Sequence, residues 1–368
     1  MTAKSDSTLF EAAAGSGKTT MLVDLALGDP RQRILFTTYT DENANEIGAA
    51  IARANGYTPS NIDLLPWFTF LLKHAVKPFF WHAGFGEVRI NGVLLVNAQS
   101  AQRTFKTSAN HYLTPDNRVY TDKLAELALY IDEKTHGAVF ERLRDIYDKV
   151  FIDEAQDLSG YELDFIKEMI RSGIQLVMAA DQRQATYHTN YSSKNGSYRE
   201  LGLHRYLEDK GLASMCRTDR QTLSGCHRCN QGILDLANSL FPEYAAARSV
   251  RDVCQEDELL PCVHIVPNKS ACSYIEQWNP SVLRNDVRTS VADNCHPQNF
   301  GASKGRTYDR VLIYPTGPIK DWLGDSTRDL KPQARSKFYV ALTRARYSVG
   351  IVGSRALANK SGLPLLGV

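Results

Sequence analysis

Residues Val150-Phe151-Ile152-Asp153-Glu154-Ala155-Gln156-Asp157 constrain this chain more than any other stretch. Apolar β-formers stop abruptly at two adjacent carboxylates, followed by a Gln and a third carboxylate. A buried strand with Asp-Glu at its C-terminal tip supplies a metal ligand and a director for water, the arrangement that splits a nucleoside triphosphate. Gln156 and Asp157 do not serve hydrolysis directly and suggest that it is coupled to another event. On these residues alone, an ordinary strand ending in a solvated acidic turn is the competing reading.

Support comes from near the N-terminus. Glu11-Ala12-Ala13-Ala14-Gly15-Ser16-Gly17-Lys18-Thr19-Thr20 lies between the strand-like Leu9-Phe10 and the helix-like Met21 to Leu27. Small residues let backbone amides approach phosphate oxygens, so Ala14 through Thr20 form the expected cradle. Lys18 would reach the β- and γ-phosphates, and the Thr19 hydroxyl would join Asp153 around Mg²⁺. Ala12 stands where such loops usually carry their first Gly. A Gly-rich turn is the alternative, but strand, loop, Lys-Thr and helix follow in order.

The chain has 368 residues, which suggests two domains, and 43% are hydrophobic, enough for each to bury a core. A net charge of +2 excludes a polycation of the histone type but not local basic patches. The polar start and the lack of an apolar run of ~18 residues predict a cytoplasmic chain without membrane contact. Seven cysteines are present: Cys216, Cys226, Cys229, Cys254, Cys262, Cys272 and Cys295. Only Cys226-His227-Arg228-Cys229 has metal-like spacing, and with no second CxxC the thiols are expected to be reduced and structural.

Strand and helix patterns alternate throughout, the mark of an α/β fold. Arg33 to Thr38, Gln175 to Ala180, Arg310 to Tyr314 and Ser348 to Gly353 read as buried parallel strands. The expected organisation is a first lobe over 1–190, a polar linker over 191–222 and a second lobe over 223–368. Gln184, in Asp181-Gln182-Arg183-Gln184, ends a strand expected beside the Asp153 strand and could sense a γ-phosphate. Arg228, placed at the start of a helix running to Leu240, and Arg344, within a helical stretch from Lys337 to Arg346, are candidate arginine fingers. Either Arg taken singly also reads as a surface salt bridge.

The ordered segments AAAGSGKTT, FTTYTDENANEI, VFIDEAQDLSG, AADQRQATY, LSGCHRCNQGILDLAN, GASKGRTYDRVLIYP and KFYVALTRARYSVGIV resemble the motifs of superfamily 1A helicases, the UvrD/PcrA/Rep/RecB group, over residues 9–353. The resemblance implies two RecA-like P-loop lobes that hydrolyse ATP with Mg²⁺ and move 3′→5′ on single-stranded DNA. By motif, it gives Lys18, Thr19, Asp153, Glu154, Gln184, Arg228 and Arg344 the hydrolytic roles above, with Gly305 beside the nucleotide. Tyr39 and Tyr187 would stack on bases, a contact worth ~1–3 kcal/mol each. Thr38, Thr69 and Lys304 would touch the phosphate backbone.

Several departures follow. No clear equivalent of the family's adenine-reading Gln precedes the phosphate strand, and Thr307 stands where a Glu usually contacts the ribose. Thr189 replaces an aromatic after Tyr187. The stretch before Lys304 is too short for the family's large accessory subdomain, and the first lobe's insertion, about 75–135, is compact and begins among His74, Phe79, Phe80, Trp81 and His82. No paired carboxylates follow Gly353, so a nuclease, if involved, is expected on another chain. The leading expectation is a translocase that opens duplexes bearing a 3′ tail. The alternatives are a DNA-triggered sensor ATPase working with a nuclease or other effector in repair or phage defence, and an inactive or RNA-directed relative.

Overall fold

The computed structural model describes residues 6–185, 190–251, 260–293 and 295–366. They form two units. The first takes in Lys18–Gln182 with the strand before it and the chain up to Thr222; the second takes in Leu223–Val368 together with Ala13–Gly17 and the short run beginning at Arg183.

The first unit holds strands β1 (Ser7–Glu11), β2 (Ile34–Thr38), β3 (Ile62–Pro66), β4 (Gly92–Leu94), β5 (Arg118–Tyr120), β6 (Lys149–Ile152), β7 (Gln175–Ala180) and β8 (Cys216–Asp219). Six of them make a parallel sheet in the order β3-β2-β6-β7-β1-β8, while β4 pairs with β5 separately. Side chains alternate between its two faces. Ile34, Phe36, Phe151 and Val177 pack under helices α1 (Lys18–Leu27) and α2 (Asp41–Asn55). Leu35, Val150, Ile152, Leu176 and Met178 face the opposite layer. That layer contains α3 (Trp67–Phe70), α4 (Leu124–Lys134), α5 (Ala138–Ile146) and α6 (Tyr161–Arg171). Burial on both faces explains why the central strands read as unbroken apolar runs.

The segment 191–222 is not a linker. It carries α7 (Tyr198–Asp209) and β8, and β8 pairs in parallel with β1 from Ser7↔Cys216 to Phe10↔Asp219. Between β3 and β4 the chain runs from α3 into a π-helical turn at Leu71–Val76 and a 3₁₀ turn at Lys77–Ala83.

In the second unit β9 (Gly225–Cys226) pairs with β10 (Arg248–Ser249). A five-stranded parallel sheet follows, built from β11 (Val263–Pro267), β12 (Ser281–Arg284), β13 (Gln298–Asn299), β14 (Tyr308–Tyr314) and β15 (Ala345–Gly353) in the order β11-β15-β14-β12-β13. Val311, Ile313, Val349 and Ile351 pack with α8 (Gln231–Ser239), α10 (Gly317–Gly324), α11 (Pro332–Leu342) and α12 (Arg355–Ser361). Leu312 and Val352 pack with α9 (Ala271–Trp278) on the other face. Two parallel-sheet α/β units are thus present, as the strand–helix alternation implied. Among the described residues, no helix is long and apolar enough to cross a membrane.

Candidate active site

In the first unit, β1 lies between β7 and β8, so one strand separates the phosphate-loop strand from β6. Chain direction then brings the tips of β1, β6 and β7 to one edge. There the Thr19 hydroxyl donates to Asp153 Oδ2 at 2.6 Å, and Lys18 Nζ lies 3.9 Å from Glu154 Oε1. Glu154 N donates to Asp153 Oδ1 at 2.9 Å. Glu154 itself adopts a left-handed backbone, φ 56° and ψ 39°, at the sharp exit from β6. Gln156 bonds the Glu154 carboxylate through Nε2, and its Oε1 accepts Asp181 N at 3.0 Å, tying the β6 tip to the β7 tip.

These residues fit a Mg²⁺–triphosphate. Burial, and then the Glu154 carboxylate beside it, push the Asp153 carboxyl up to about 6, against the pull of Lys18. A divalent cation would remove that opposition. Ser16, counted with the second unit, has its Oγ buried without a hydrogen-bond partner. Among the described residues no cluster of three or more His, Cys, Asp or Glu could hold a metal alone, so a cation here would share phosphate oxygens, as Mg²⁺ commonly does. Gly17 holds φ +85° with open space around it, a conformation that keeps the loop free of side chains, and Thr20 is exposed one position beyond Thr19.

Sequence reasoning missed two features of this unit. Glu11, at the end of β1, accepts His204 Nδ1 at 2.7 Å and Arg220 Nε at 2.8 Å. Burial alone would raise the Glu11 carboxyl, but these two partners hold it below its ordinary value. The turn after Asp157 is also clamped: Asn190 N donates to Ser159 Oγ at 3.2 Å, Asn195 Nδ2 to Gly160 O at 2.9 Å, and Arg199 Nη2 to Asn190 O at 2.7 Å. Neither contact has a local sequence signal, because each joins segments far apart in the chain.

In the second unit Arg344 is buried. Its Nε donates to Val340 O at 3.2 Å, Nη1 to Arg306 O at 3.2 Å, and Nη2 to Gln184 Oε1 at 3.1 Å. It lies in the turn between α11 and β15, not inside a helix as expected, since α11 ends at Leu342. Arg228 likewise precedes its helix. Asn230 takes the N-cap of α8, its side chain accepting Ile233 N at 3.1 Å, and Arg228 stays in the turn before it. There Arg228 Nη1 donates to Thr343 O at 3.1 Å. Gly15 is counted with this unit: His227 N donates to its carbonyl at 2.8 Å, and a Cβ on it would sit 2.6 Å from Arg228 Cβ. Ala14 N donates to the Tyr339 hydroxyl at 3.4 Å. Lys304 and Gly305, the latter at φ +85°, form the turn that presents the Arg306 carbonyl to Arg344.

Of the nucleic-acid candidates, Tyr39 is half-buried beyond β2 with its ring edge-on to Phe68 at 5.3 Å. Thr69 is exposed on α3, which follows the neighbouring strand at the same sheet end. Thr38 is buried, so its hydroxyl faces the protein, 3.5 Å from Asn43 Nδ2. Tyr187 and Thr189 lie outside the described residues.

Residues 87–192 match the UvrD/REP helicase N-terminal domain. No curated protein matches the chain in sequence. Solved structures similar to it include the arterivirus nonstructural protein 10 helicase with DNA, at TM-score 0.47 and 15% identity over 97% of this chain and 63% of that one. The same arterivirus helicase without DNA gives 0.47 and 14%, over 96% and 61%, and the PRRSV helicase 0.46 and 16%, over 98% and 56%. The chain therefore spans less than two-thirds of each of these structures. The stretch that resembles the UvrD/REP helicase N-terminal domain contains both the Asp153–Asp157 turn and Gln184.

Proposed function

We propose that this chain hydrolyses ATP with Mg²⁺ and uses the cycle to move 3′→5′ along single-stranded DNA, opening duplexes that carry a 3′ tail. The observation that carries the reading is the 2.6 Å bond between Thr19 and Asp153, with Lys18 beside Glu154, which unites the phosphate loop and the acidic pair. Bound Mg²⁺ would offset charge on the phosphates. Lys18 and the loop amides would hold the phosphates, Glu154 would orient the attacking water, and Gln184, Arg228 and Arg344 would answer to the γ-phosphate. Tyr39 and Tyr187 would stack on bases, with Thr38, Thr69 and Lys304 along the backbone. The test is ATP turnover with and without single-stranded DNA, followed by strand separation on duplexes tailed at either end. Turnover indifferent to DNA sinks the motor; separation only from 5′ tails reverses its direction.

A second reading, a sensor ATPase whose DNA-triggered turnover controls a protein partner such as a nuclease, is favoured by one observation. Trp81, Leu95 and Phe105, all in the insertion, are 69%, 73% and 82% exposed. Under this reading DNA stimulates turnover, but strands separate only once the partner is added.

A further inference from the structure

Cys226 and Cys229 bracket Arg228 in the turn between β9 and α8. We propose that these two cysteines are a dithiol–disulfide site, and that closing the disulfide displaces Arg228 and suppresses nucleotide turnover. The loss of turnover rests on the ATPase reading above; the disulfide itself does not.

Both thiols are free and fully buried side by side. Cys229 N donates to Cys226 Sγ at 3.3 Å, so the turn already folds one cysteine back on the other. The Cys229 thiol donates to Thr343 O at 3.5 Å, and that is the carbonyl that also accepts Arg228 Nη1 at 3.1 Å. A thiol and a guanidinium on adjacent residues thus share one acceptor, immediately before Arg344. Sulfur that leaves Thr343 to bond Cys226 removes one of the two donors and turns the backbone between the cysteines, where Arg228 sits. The outer side of the turn is pinned. Val250 N, Arg251 Nη1 and Ser249 Oγ donate to the carbonyls of Cys226, Arg228 and Cys229 at 2.9, 2.8 and 2.8 Å. Movement therefore falls on the side that carries the Arg228 side chain.

The two sulfurs are also chemically unequal. The bond from Cys229 holds the Cys226 thiol down to about 6, while the same bond and burial push Cys229 well above its ordinary value. A thiolate paired with a protonated neighbour is the division of labour between an attacking and a resolving cysteine. Cysteines spaced CxxC beside alternating strands and helices are a redox pattern in their own right. The oxidant would be a peroxide, small enough to reach a buried sulfur during local opening. The Cys226 thiolate attacks one oxygen of hydrogen peroxide, the O–O bond breaks, and the departing hydroxide takes up a proton to become water. Cys229 sulfur then attacks the Cys226 sulfenic acid, the S–O bond breaks, and a second water leaves with the Cys229 proton. Two thiols lose two protons and two electrons; one peroxide becomes two waters.

The full chain should be titrated with hydrogen peroxide, then mapped by peptide mass and assayed for DNA-stimulated turnover. The expected result is a Cys226–Cys229 peptide lighter by two hydrogens, with turnover falling roughly tenfold or more and both returning with dithiothreitol. Cys226→Ser and Cys229→Ser, each compared with its own reduced value, should lose the response; Cys254→Ser and Cys272→Ser should keep it. The proposal fails if peroxide that oxidises the exposed Cys272 leaves 226 and 229 as thiols, or if the disulfide forms and turnover is unchanged. Should the reduced wild type show no turnover at all, the ATPase reading falls, and the peptide map alone decides the dithiol site. Should a serine variant unfold, wild-type mapping and reversal by dithiothreitol still decide it.

Discussion

At the scale of single residues, two kinds of buried or half-buried polar group behave differently. Arg344 and Glu154 are held for chemistry under the proposed reading. Glu154→Gln keeps the shape but not the charge, and Arg344→Lys keeps the charge but not the fork of donors; each should lower DNA-stimulated ATP turnover by about a thousandfold. Turnover near wild type in either, with folding intact by circular dichroism, would place the chemistry elsewhere. His74 is held for stability. Its Nε2 lies 3.3 Å from the Tyr147 hydroxyl, which donates to Asp63 Oδ2 at 2.8 Å, and Nδ1 faces Arg142 Nη1 at 3.5 Å. The neutral ring satisfies both neighbours by donating at Nε2 and accepting at Nδ1. Burial, then Lys73 and Arg142, pull its pKa from 6.5 to about 4. The folded chain thus binds this proton more weakly than the unfolded chain does. Its contribution is complete above about pH 6.5 and is lost as pH falls toward 4, by at most about 3 kcal/mol. Urea melts at pH 7 and pH 5 should show a smaller difference for His74→Phe than for wild type; equal differences would refute the assignment.

Among elements, the stretch from β6 into α6 shows how the candidate catalytic turn is tied to its surroundings. Gly160, at φ 61° and ψ −127°, approaches Asn190 so closely that a Cβ would lie 2.7 Å from the Asn190 amide carbon. Gly160→Ala should therefore dislodge Asn190 while leaving β6 in place. We expect basal ATP turnover to change less than threefold or so and stimulation by DNA to fall about tenfold, measured side by side. A parallel loss of both would mean that the clamp supports the carboxylates and not the coupling. Much of this stretch was legible beforehand. β6 and β7 are buried on both faces and could be spelled only with apolar residues, and Lys18-Thr19 and Asp153-Glu154 are each contiguous in the chain. β8 was not legible: Cys216-Arg217-Thr218-Asp219 is an edge strand with one neighbour, and its exposed positions admit charge. The π-helical turn at Leu71–Val76 escaped because five-residue hydrogen bonding breaks the apolar spacing of an α-helix. Arg228 was displaced from its expected helix start because Asn230 is the better cap.

For the whole molecule, sheet order decides when the phosphate loop comes into being. β1 is made well before its two partners, β7 and β8. During synthesis it has no strand to pair with until Ala180 has emerged, and its second edge stays open until Asp219 has followed. Parallel pairing across such separations closes slowly, and an open strand edge invites association with other chains. A fragment ending at residue 190 should therefore aggregate, whereas one ending at 222 should remain in solution, as read by size-exclusion chromatography of the two made in parallel; equal behaviour would show that β8 is dispensable. The strand that begins the nucleotide loop is thus the last to be locked in. On the proposed reading, a nascent chain lacks a locked β1, and with it any use for ATP, until its first unit has been made in full.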